Sequence, residues 1–290
     1  MNGLGGVRHE HGVAIAQPEG LQLDGLTLRG ISEAGIRTSL HVPEWDLLVD
    51  LGCVDSSTVP AKHVLVTHGH LDHLGAFANH VALRGLFRMA PASYLMPPGL
   101  VGPAEELLEL WRRIDKAPLE ARVLGLPPGQ SHALRRDLVV HSHGTVHRVE
   151  SQAYRVVSLR HALKAEFRGL AQGEIHRRKA AGEVLEEELE VGEIAFSGDT
   201  TLEGILAHPE LLRVRRLVLE CTFFGERVDV ARSRHLGHVH LDEIAAHAEA
   251  FEVEWLVLMH RSVRFSAGDA ARHVRARLPK DLRERVVLFG

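Results

Sequence analysis

An α/β fold is the class this sequence predicts, on three observations. Short apolar runs of strand type alternate with segments whose apolar residues recur at helical spacing, and the alternation appears in both halves of the chain. The 290 residues suffice to bury a full core within one large domain. Hydrophobic content of 45% against 25% charged residues is ordinary for a globular protein.

Taken in order, residues 1–24 mix Gly, His and Gln17-Pro18-Glu19-Gly20 without periodicity, which predicts a loose N-terminal extension ahead of a domain spanning 25–290. Leu26–Ile31 and Ile36–Val42 read as paired strands around Glu33-Ala34-Gly35, and Trp45–Leu51 as the next strand, ending at Asp50. Residues 72–87 and 102–116 carry helical spacing. Pro91, Pro97, Pro98, Pro127 and Pro128 punctuate the connections, and strands at 137–142 and 154–159 follow. Composition breaks over 161–193, from Lys164 and Arg168 through His176-Arg177-Arg178-Lys179 to Glu186-Glu187-Glu188. A solvated helical hairpin and a protruding arm both fit that segment. Strands at 192–197, 214–219 and 254–259 then alternate with helices near 241–251 and 267–276.

No run approaches the ~18 apolar residues of a membrane span, and no basic-then-apolar leader opens the chain. Cys53 and Cys221 are too few for a disulfide framework, so both are expected reduced and the expected compartment is the cytoplasm. The net charge of −4 argues mildly against a nucleic-acid partner, although bound cations would add positive charge that the count ignores.

Residues 67–75, Thr-His-Gly-His-Leu-Asp-His-Leu-Gly, bring four metal-ligand types, His68, His70, Asp72 and His73, within six positions. Imidazole nitrogens and a carboxylate oxygen are donors that zinc favours. The run leaves the apolar Val64-Leu65-Val66 and enters the helix-like Leu74-Gly75-Ala76-Phe77. Ligands on such a loop converge, whereas ligands along a strand alternate between its faces. His68 and His70 can serve one ion while Asp72 and His73 turn to a second. A His-rich surface loop is the competing reading in a chain of 21 histidines, but a chance His-x-His-x-Asp-His at a strand exit is improbable.

Two ions need further ligands, and apolar strands deliver candidates at their ends, where α/β folds place chemistry. His147 precedes the Ala153–Val156 strand, Asp199 follows Phe196-Ser197-Gly198, and His260 closes Leu256–Met259. His141 and His143 compete with His147. Asp50, at a strand end, is placed to fix the tautomer of a ligand histidine.

The His-x-His-x-Asp-His run resembles the metallo-β-lactamase superfamily, and within it the ribonuclease Z family of short, plant-type form. Ser151-Gln152-Ala153-Tyr154 resembles that family's Ser-x-Gly-Tyr element, with Ala153 for glycine, and favours His147 as the ligand just before it. Glu220-Cys221-Thr222 resembles its Glu-Ala-Thr element, with Cys221 for alanine. His238-Val239-His240 resembles its His-x-Thr element, with His240 where Thr is common. His260-Arg261-Ser262-Val263-Arg264-Phe265 resembles the His-Phe-Ser-x-Arg-Tyr ending. The likeness runs from about residue 25 to 275. Position 70 is His rather than Glu, which disfavours the di-iron branch, and the sixty positions between Asp199 and His260 are too few for the extra domain of the RNA-cleavage-factor branch.

The resemblance implies a four-layer αβ/βα sandwich with a small arm at 161–193. It implies two Zn2+ per subunit, or Mn2+ in their place. His68, His70 and His147 would hold one ion, Asp72, His73 and His260 the other, with Asp199 bridging. The implied reaction is endonucleolytic cleavage of precursor tRNA on the 3′ side of the discriminator base, by metal-activated hydroxide. Asp72 would orient the nucleophile, and His238 backed by Glu220 would give the leaving oxygen its proton. Lys164, Arg177, Arg178 and Lys179 are the expected RNA contacts of the arm, and Ser262 and Arg264 the expected phosphate contacts. A homodimer is implied as well. The rival function on the same site is a small-molecule phosphodiesterase, lactonase or thioesterase, kept open by the low aromatic content of 5%.

Overall fold

A computed structural model describes residues 4–290. Four short strands open it: β1 (Leu4–Gly5), β2 (Val7–Glu10), β3 (Val13–Ala16) and β4 (Leu21–Leu23). The loose extension expected over 1–24 is therefore corrected, save for residues 1–3, which lie outside the described residues. Val13, Ile15, Leu21 and Leu23 are buried, and β3 pairs in parallel with the last strand of the chain. Strands of two to four residues are too short to register as a period, which is why composition alone reads as loop.

The first half continues with β5 (Leu26–Glu33), β6 (Arg37–Val42), β7 (Leu47–Val49) and β8 (His63–Leu65), then α1 (Leu71–Leu74), α2 (Phe77–Leu86), β9 (Ser93–Met96), α3 (Pro98–Asp115) and β10 (Arg122–Gly125). The helix expected over 72–87 is broken at Gly75-Ala76, and α3 starts earlier than its periodicity suggests because proline is tolerated in a first turn. The second half holds β11 (Ser131–Arg135), β12 (Leu138–Gly144), β13 (Gln152–Leu163), α4 (Gln172–Ala180), β14 (Glu186–Phe196), α5 (Leu202–Leu206), β15 (Arg216–Glu220), α6 (Val230–Leu236), α7 (Leu241–Ala246), β16 (Trp255–Met259), α8 (Ala267–Arg277), α9 (Lys280–Arg283) and β17 (Val286–Leu288).

These strands form an eight-stranded sheet in the order β1-β4-β5-β6-β7-β8-β9-β10 and a nine-stranded sheet in the order β11-β12-β13-β14-β15-β16-β17-β3-β2. Side-chain alternation along the strands explains the layering. Leu47, Val49 and Leu65 face Val218, Val257 and Met259 between the sheets. Leu48, Val64 and Val66 point the other way, onto Phe77, Val81 and Leu108 of α2 and α3. Leu217, Leu219, Leu256 and Leu258 point onto Ile205, Ile244, Ala270 and Val274 of α5, α7 and α8. Helices, sheet, sheet, helices: three apolar interfaces separate four layers. Arg216, fully buried, donates to the carbonyls of Leu23 and Asp24 (both 2.9 Å) and so pins the β4–β5 turn onto the second sheet.

The 161–193 segment is not a helical hairpin. β13 and β14 pair antiparallel from Tyr154–Phe196 out to Leu163–Glu186, and α4 sits in the tip between them. That pairing continues beyond Ser158, the last β13 residue paired to β12, and beyond Ile194–Phe196, the β14 residues paired to β15. What reads as an acidic run, Glu186-Glu187-Glu188, is the opening of strand β14.

Candidate metal centre

β7–β8–β9 in the first sheet and β14–β15–β16–β17 in the second run parallel, and the chemistry-bearing residues follow their carboxyl ends. The 67–73 turn leaves β8, His147 lies on the β12–β13 connection, and Asp199 follows β14. Glu220 ends β15, and His260 follows β16. Gly198 has φ +59°, and a Cβ there would stand 2.7 Å from Thr67 Cβ, so the turn presenting Asp199 fits against the first sheet only as glycine. Asp50 and His260 also sit at left-handed φ, +61° and +59°. Such backbone concentrates at functional sites because the surrounding structure must hold it there.

The seven ligand candidates assemble into two groups. His68 Nε2 and His147 Nε2 stand 3.1 and 3.3 Å from His70 Nδ1, and Asp199 Oδ2 is 3.8 Å from His68 Nε2. In the other group, His73 Nε2 is 3.4 Å from His260 Nε2, while Asp72 Oδ2 is 3.7 and 3.5 Å from those two nitrogens. Asp199 reaches both groups, with Oδ1 3.4 Å from His73 Nε2 and Oδ2 3.4 Å from His260 Nε2. Donors bonded to one tetrahedral zinc at ~2.0–2.1 Å stand ~3.3 Å apart, close to these separations. Asp199 Oδ1 is buried with no hydrogen-bond partner among the described residues. A buried, unsatisfied carboxylate oxygen ringed by imidazoles fits a divalent cation, and both groups could hold one.

Two carboxylates orient the imidazoles. Asp50 accepts from Thr67 N (2.8 Å), Thr67 Oγ1 (2.9 Å) and His73 Nδ1 (2.7 Å), and the Thr67 hydroxyl lies 3.0 Å from His68 Nδ1. A hydroxyl that donates to Asp50 can accept only from a protonated His68 Nδ1, which leaves both Nε2 lone pairs aimed into the centre. Glu220 accepts from Thr200 N (3.2 Å), Thr222 N (3.1 Å), Thr222 Oγ1 (2.9 Å) and His238 Nδ1 (2.9 Å). The Thr222 hydroxyl is 3.0 Å from His260 Nδ1. Thr67 and Thr222 are functional neighbours to which the motifs alone assign no role; the signal is a threonine flanking a ligand or acid position.

Protonation follows this geometry. Burial above all lowers the pKa of His68, His70 and His147, leaving neutral imidazoles, the state that ligation requires. Burial also works to lower His73 and His238, but carboxylates overcome it. Asp199 and Asp50 hold His73 up at about 9, and Glu220 with Asp199 holds His238 up at about 9. Burial tends to raise Asp72 and Asp199, and the imidazoles around them push both well below the usual carboxylate range. His238 lies at the rim, with ring centroids 5.2 Å from His147 and 5.4 Å from His260.

The remaining predicted residues are placed less tightly. Ser262 N donates to Thr222 O (3.1 Å), so Ser262 borders the centre, whereas Arg264 is exposed and its carbonyl accepts from Arg227 (2.8 Å). In the arm, Arg177 and Arg178 both pair with Glu174, and Lys179 pairs with Glu186 at 2.7 Å. Lys164 N donates to Leu185 O (2.9 Å), extending the β13–β14 pairing into the tip. Of the other histidines considered, His141 pairs with Glu190 (2.9 Å) and His143 with Glu210 (3.1 Å), away from both groups. His240, the unusual residue of its motif, caps α7: its Nδ1 accepts from Asp242 N (3.1 Å) while Glu243 returns a bond to His240 N (3.1 Å). An imidazole nitrogen thus does the capping that a threonine hydroxyl would. Ser151 Oγ donates to Asp199 O (3.0 Å), and Tyr154 Oη to Val66 O (2.8 Å), which ties the third-motif element to two ligand-bearing turns.

Comparison with known proteins agrees with this architecture. The chain is 33% identical to tRNase Z TRZ1 of Arabidopsis thaliana over 274 residues, covering 94% of this chain and 98% of that protein. It is 32% identical to the chloroplastic tRNase Z TRZ2 of the same plant over 254 residues, covering 87% and 72%. Among solved structures, the metallo-beta-lactamase fold protein YhfI from Bacillus subtilis superposes with a TM-score of 0.58 at 13% identity, over 90% of this chain and 93% of that one. Human tRNase Z, short form, does so with a TM-score of 0.56 at 16% identity, over 82% and 93%. Identities this low speak to the fold alone. No protein-family model matches the chain. No helix among the described residues is long and apolar enough to cross a membrane.

Proposed function

The chain belongs to the tRNase Z family, and from that premise we propose that it is a zinc-dependent endoribonuclease cleaving precursor tRNA on the 3′ side of the discriminator base. The observation that carries this reading is the Glu220–His238 pair, 2.9 Å apart, standing beside two donor groups that share Asp199. Two Zn2+ per subunit suit the imidazole-rich set, with Mn2+ the alternative its carboxylates accept. His68, His70, His147 and Asp199 would hold one ion, and Asp72, His73, His260 and Asp199 the other. When bound, such ions lower the pKa of water toward about 7 and neutralise charge developing on a phosphate.

The chain's own residues then have defined tasks. Asp72, half-buried and held by Gly35 N at 2.8 Å, orients the attacking water through its carboxylate. His238 Nδ1 is committed to Glu220, so Nε2 is the nitrogen that gives a proton to the departing 3′-oxygen as the phosphorus–oxygen bond breaks. The products are a 3′-hydroxyl on the tRNA and a 5′-phosphate on the trailer. Ser262, at the border of the centre, and the exposed Arg264 contact a neighbouring phosphate. The arm over 161–193 contacts the tRNA body with Lys164, Arg177, Arg178 and Lys179.

A homodimer is part of this reading: Leu107, Leu110, Trp111 and Ile114 of α3, Leu86 of α2 and Phe87 just after it are exposed apolar side chains that a partner subunit would cover. The cytoplasm is the proposed compartment, with Cys53 and Cys221 both free. A small-molecule ester or phosphodiester substrate is the second reading, favoured by the internal pairing of the arm's cations.

Incubation with a labelled 3′-extended precursor tRNA and with bis(p-nitrophenyl) phosphate separates the two. Cleavage at the discriminator base, weakening as salt screens the phosphates, is the expected result; turnover of the small ester alone would select the second reading.

A further inference from the structure

A second cluster of metal-type donors lies outside the centre described above. His143 is near the end of β12, and His208 and Glu210 flank Pro209 in the turn that follows α5. One ligand atom from each, two imidazole nitrogens and a carboxylate oxygen, lie within 4.8 Å of one another. We propose that His143, His208 and Glu210 form a further divalent-cation site of zinc type, whose ion ties the end of β12 to the 208–210 segment.

Two observations support it. Glu210 Oε1 is 3.1 Å from His143 Nδ1 and 3.8 Å from His208 Nδ1, and these separations bracket the ~3.3 Å between donors on one tetrahedral zinc. His208 Nε2 stands 2.8 Å from Gly144 O. A carbonyl only accepts, so Nε2 carries a proton, and in the neutral ring the Nδ1 lone pair is turned toward Glu210, an arrangement that a cation between them would relieve. His143 is 8% exposed, and its Nε2 has no hydrogen-bond partner among the described residues.

Electrostatics around the cluster agree. Burial is the main reason that His143 is held down at about 4, so near neutral pH the ring is uncharged and its contact with Glu210 is no ion pair. Two nearby basic side chains are already engaged, His141 and Arg155 both with Glu190, at 2.9 and 3.2 Å. The His208 side chain is 27% exposed and that of Glu210 42%, which leaves water a fourth position and the ion a path of entry. Two histidines with one carboxylate and an open position are a donor set zinc accepts.

The location gives the ion a consequence. Gly144 leads directly into the 145–151 connection that presents His147, so fixing the β12 end against the 208–210 turn stiffens the entry to that connection.

Bound zinc, counted by mass spectrometry after dialysis in chelator-buffered zinc, tests the proposal on the whole protein. The wild type is expected to hold one equivalent more than His143→Gln and one more than Glu210→Gln. Zinc-edge anomalous diffraction of the wild type should place a peak among the three side chains. Glu210 is partly exposed, so Glu210→Gln keeps the fold, checked by an unchanged melting temperature after chelation. Equal zinc content in the wild type and either variant overturns the proposal. Because the readout is a difference in metal content, failure of the tRNA-cleavage reading leaves it standing or falling on its own.

Discussion

Replacing Asp50 with asparagine keeps the volume of the side chain and removes the charge that orients two ligand histidines. The carboxylate is buried and receives three donors: Thr67 N, Thr67 Oγ1 and His73 Nδ1, at 2.7–2.9 Å. Asparagine offers one oxygen and an amide that only donates. If the oxygen keeps the two Thr67 donors, the amide faces His73 Nδ1 and forces that nitrogen to accept. In the neutral ring that ligation requires, the imidazole proton then sits on Nε2, the atom 3.4 Å from both His260 Nε2 and Asp199 Oδ1. A protonated Nε2 cannot ligate, so cation binding must first reverse the tautomer against the amide. Losing one hydrogen bond to a charged group costs about 1.5–3 kcal/mol, and orienting partners of ligand histidines are typically worth about 10–100-fold in metal affinity; the two scales agree. The assay is zinc affinity in chelator-buffered solution, with precursor tRNA cleavage measured again at saturating zinc. Asp50→Asn is expected to need about 10–100-fold more free zinc and to recover much of its activity once loaded. An affinity within about twofold of wild type would refute the tautomer argument, since an orienting carboxylate that matters to ligation leaves no room for so small an effect.

His238→Ala should slow single-turnover cleavage by about 10²–10⁴-fold while zinc content stays at the wild-type level, and a wild-type rate would remove His238 from proton transfer. Replacing 164–185 with a short turn, which spares the paired parts of β13 and β14, should weaken precursor tRNA binding far more than hydrolysis of bis(p-nitrophenyl) phosphate; equal losses on both substrates count against the arm. His80, buried and bonded to Tyr94 Oη at 2.7 Å, is held down at about 4, chiefly by burial. The unfolded chain therefore takes up a proton near pH 6.5 that the folded chain refuses until about 4. Stability is full above 6.5 and falls as pH drops through that window, by about 3 kcal/mol. Urea unfolding of His80→Gln should show a flatter dependence between pH 6.5 and 4, and an unchanged slope would assign the acid sensitivity elsewhere.

How much was legible varies with the physics of each segment. Strands buried on both faces, such as Leu217–Leu219 and Leu256–Met259, announce themselves as apolar runs, and the candidate ligands His68, Asp199 and His260 lie just past the ends of such runs. The N-terminal strands were not legible: Val7–Glu10 and Val13–Ala16 are held by pairing with one another and with β17 at the opposite end of the chain. Long-range pairing leaves no local period to read. The arm was legible as an interruption in composition but not as a β-hairpin, since its stability comes from registration of β13 against β14 across the tip. His240 shows a subtler failure. The motif comparison marks it as a departure, whereas the capping geometry shows that imidazole Nδ1 substitutes for a hydroxyl at no loss of the bond. The orienting threonines were equally hidden, because a hydrogen-bond chain through a hydroxyl has no spacing rule.

Those threonines expose a pattern that runs through both halves of the centre. Asp50 follows a parallel strand of the first sheet and Glu220 ends one of the second, and each gathers a threonine N–H, the same threonine's hydroxyl and one imidazole directly. Each hydroxyl then takes a second imidazole, His68 through Thr67 and His260 through Thr222. The two supports are chemically alike, yet the directly held imidazoles differ in task. His73 has its Nε2 among Asp72, Asp199 and His260, all within 3.7 Å, where a cation satisfies two carboxylates at once. His238 sits at the rim with its Nδ1 3.9 Å from Asp199, and its side chain is 18% exposed. In the reading proposed above its proton would have an outlet there to a substrate oxygen, although His238 also groups with Asp199 and His260 as donors. On the proposed reading, a carboxylate partner of the same kind would prepare one imidazole as a ligand and the other as an acid, with the company kept by the far nitrogen deciding between them.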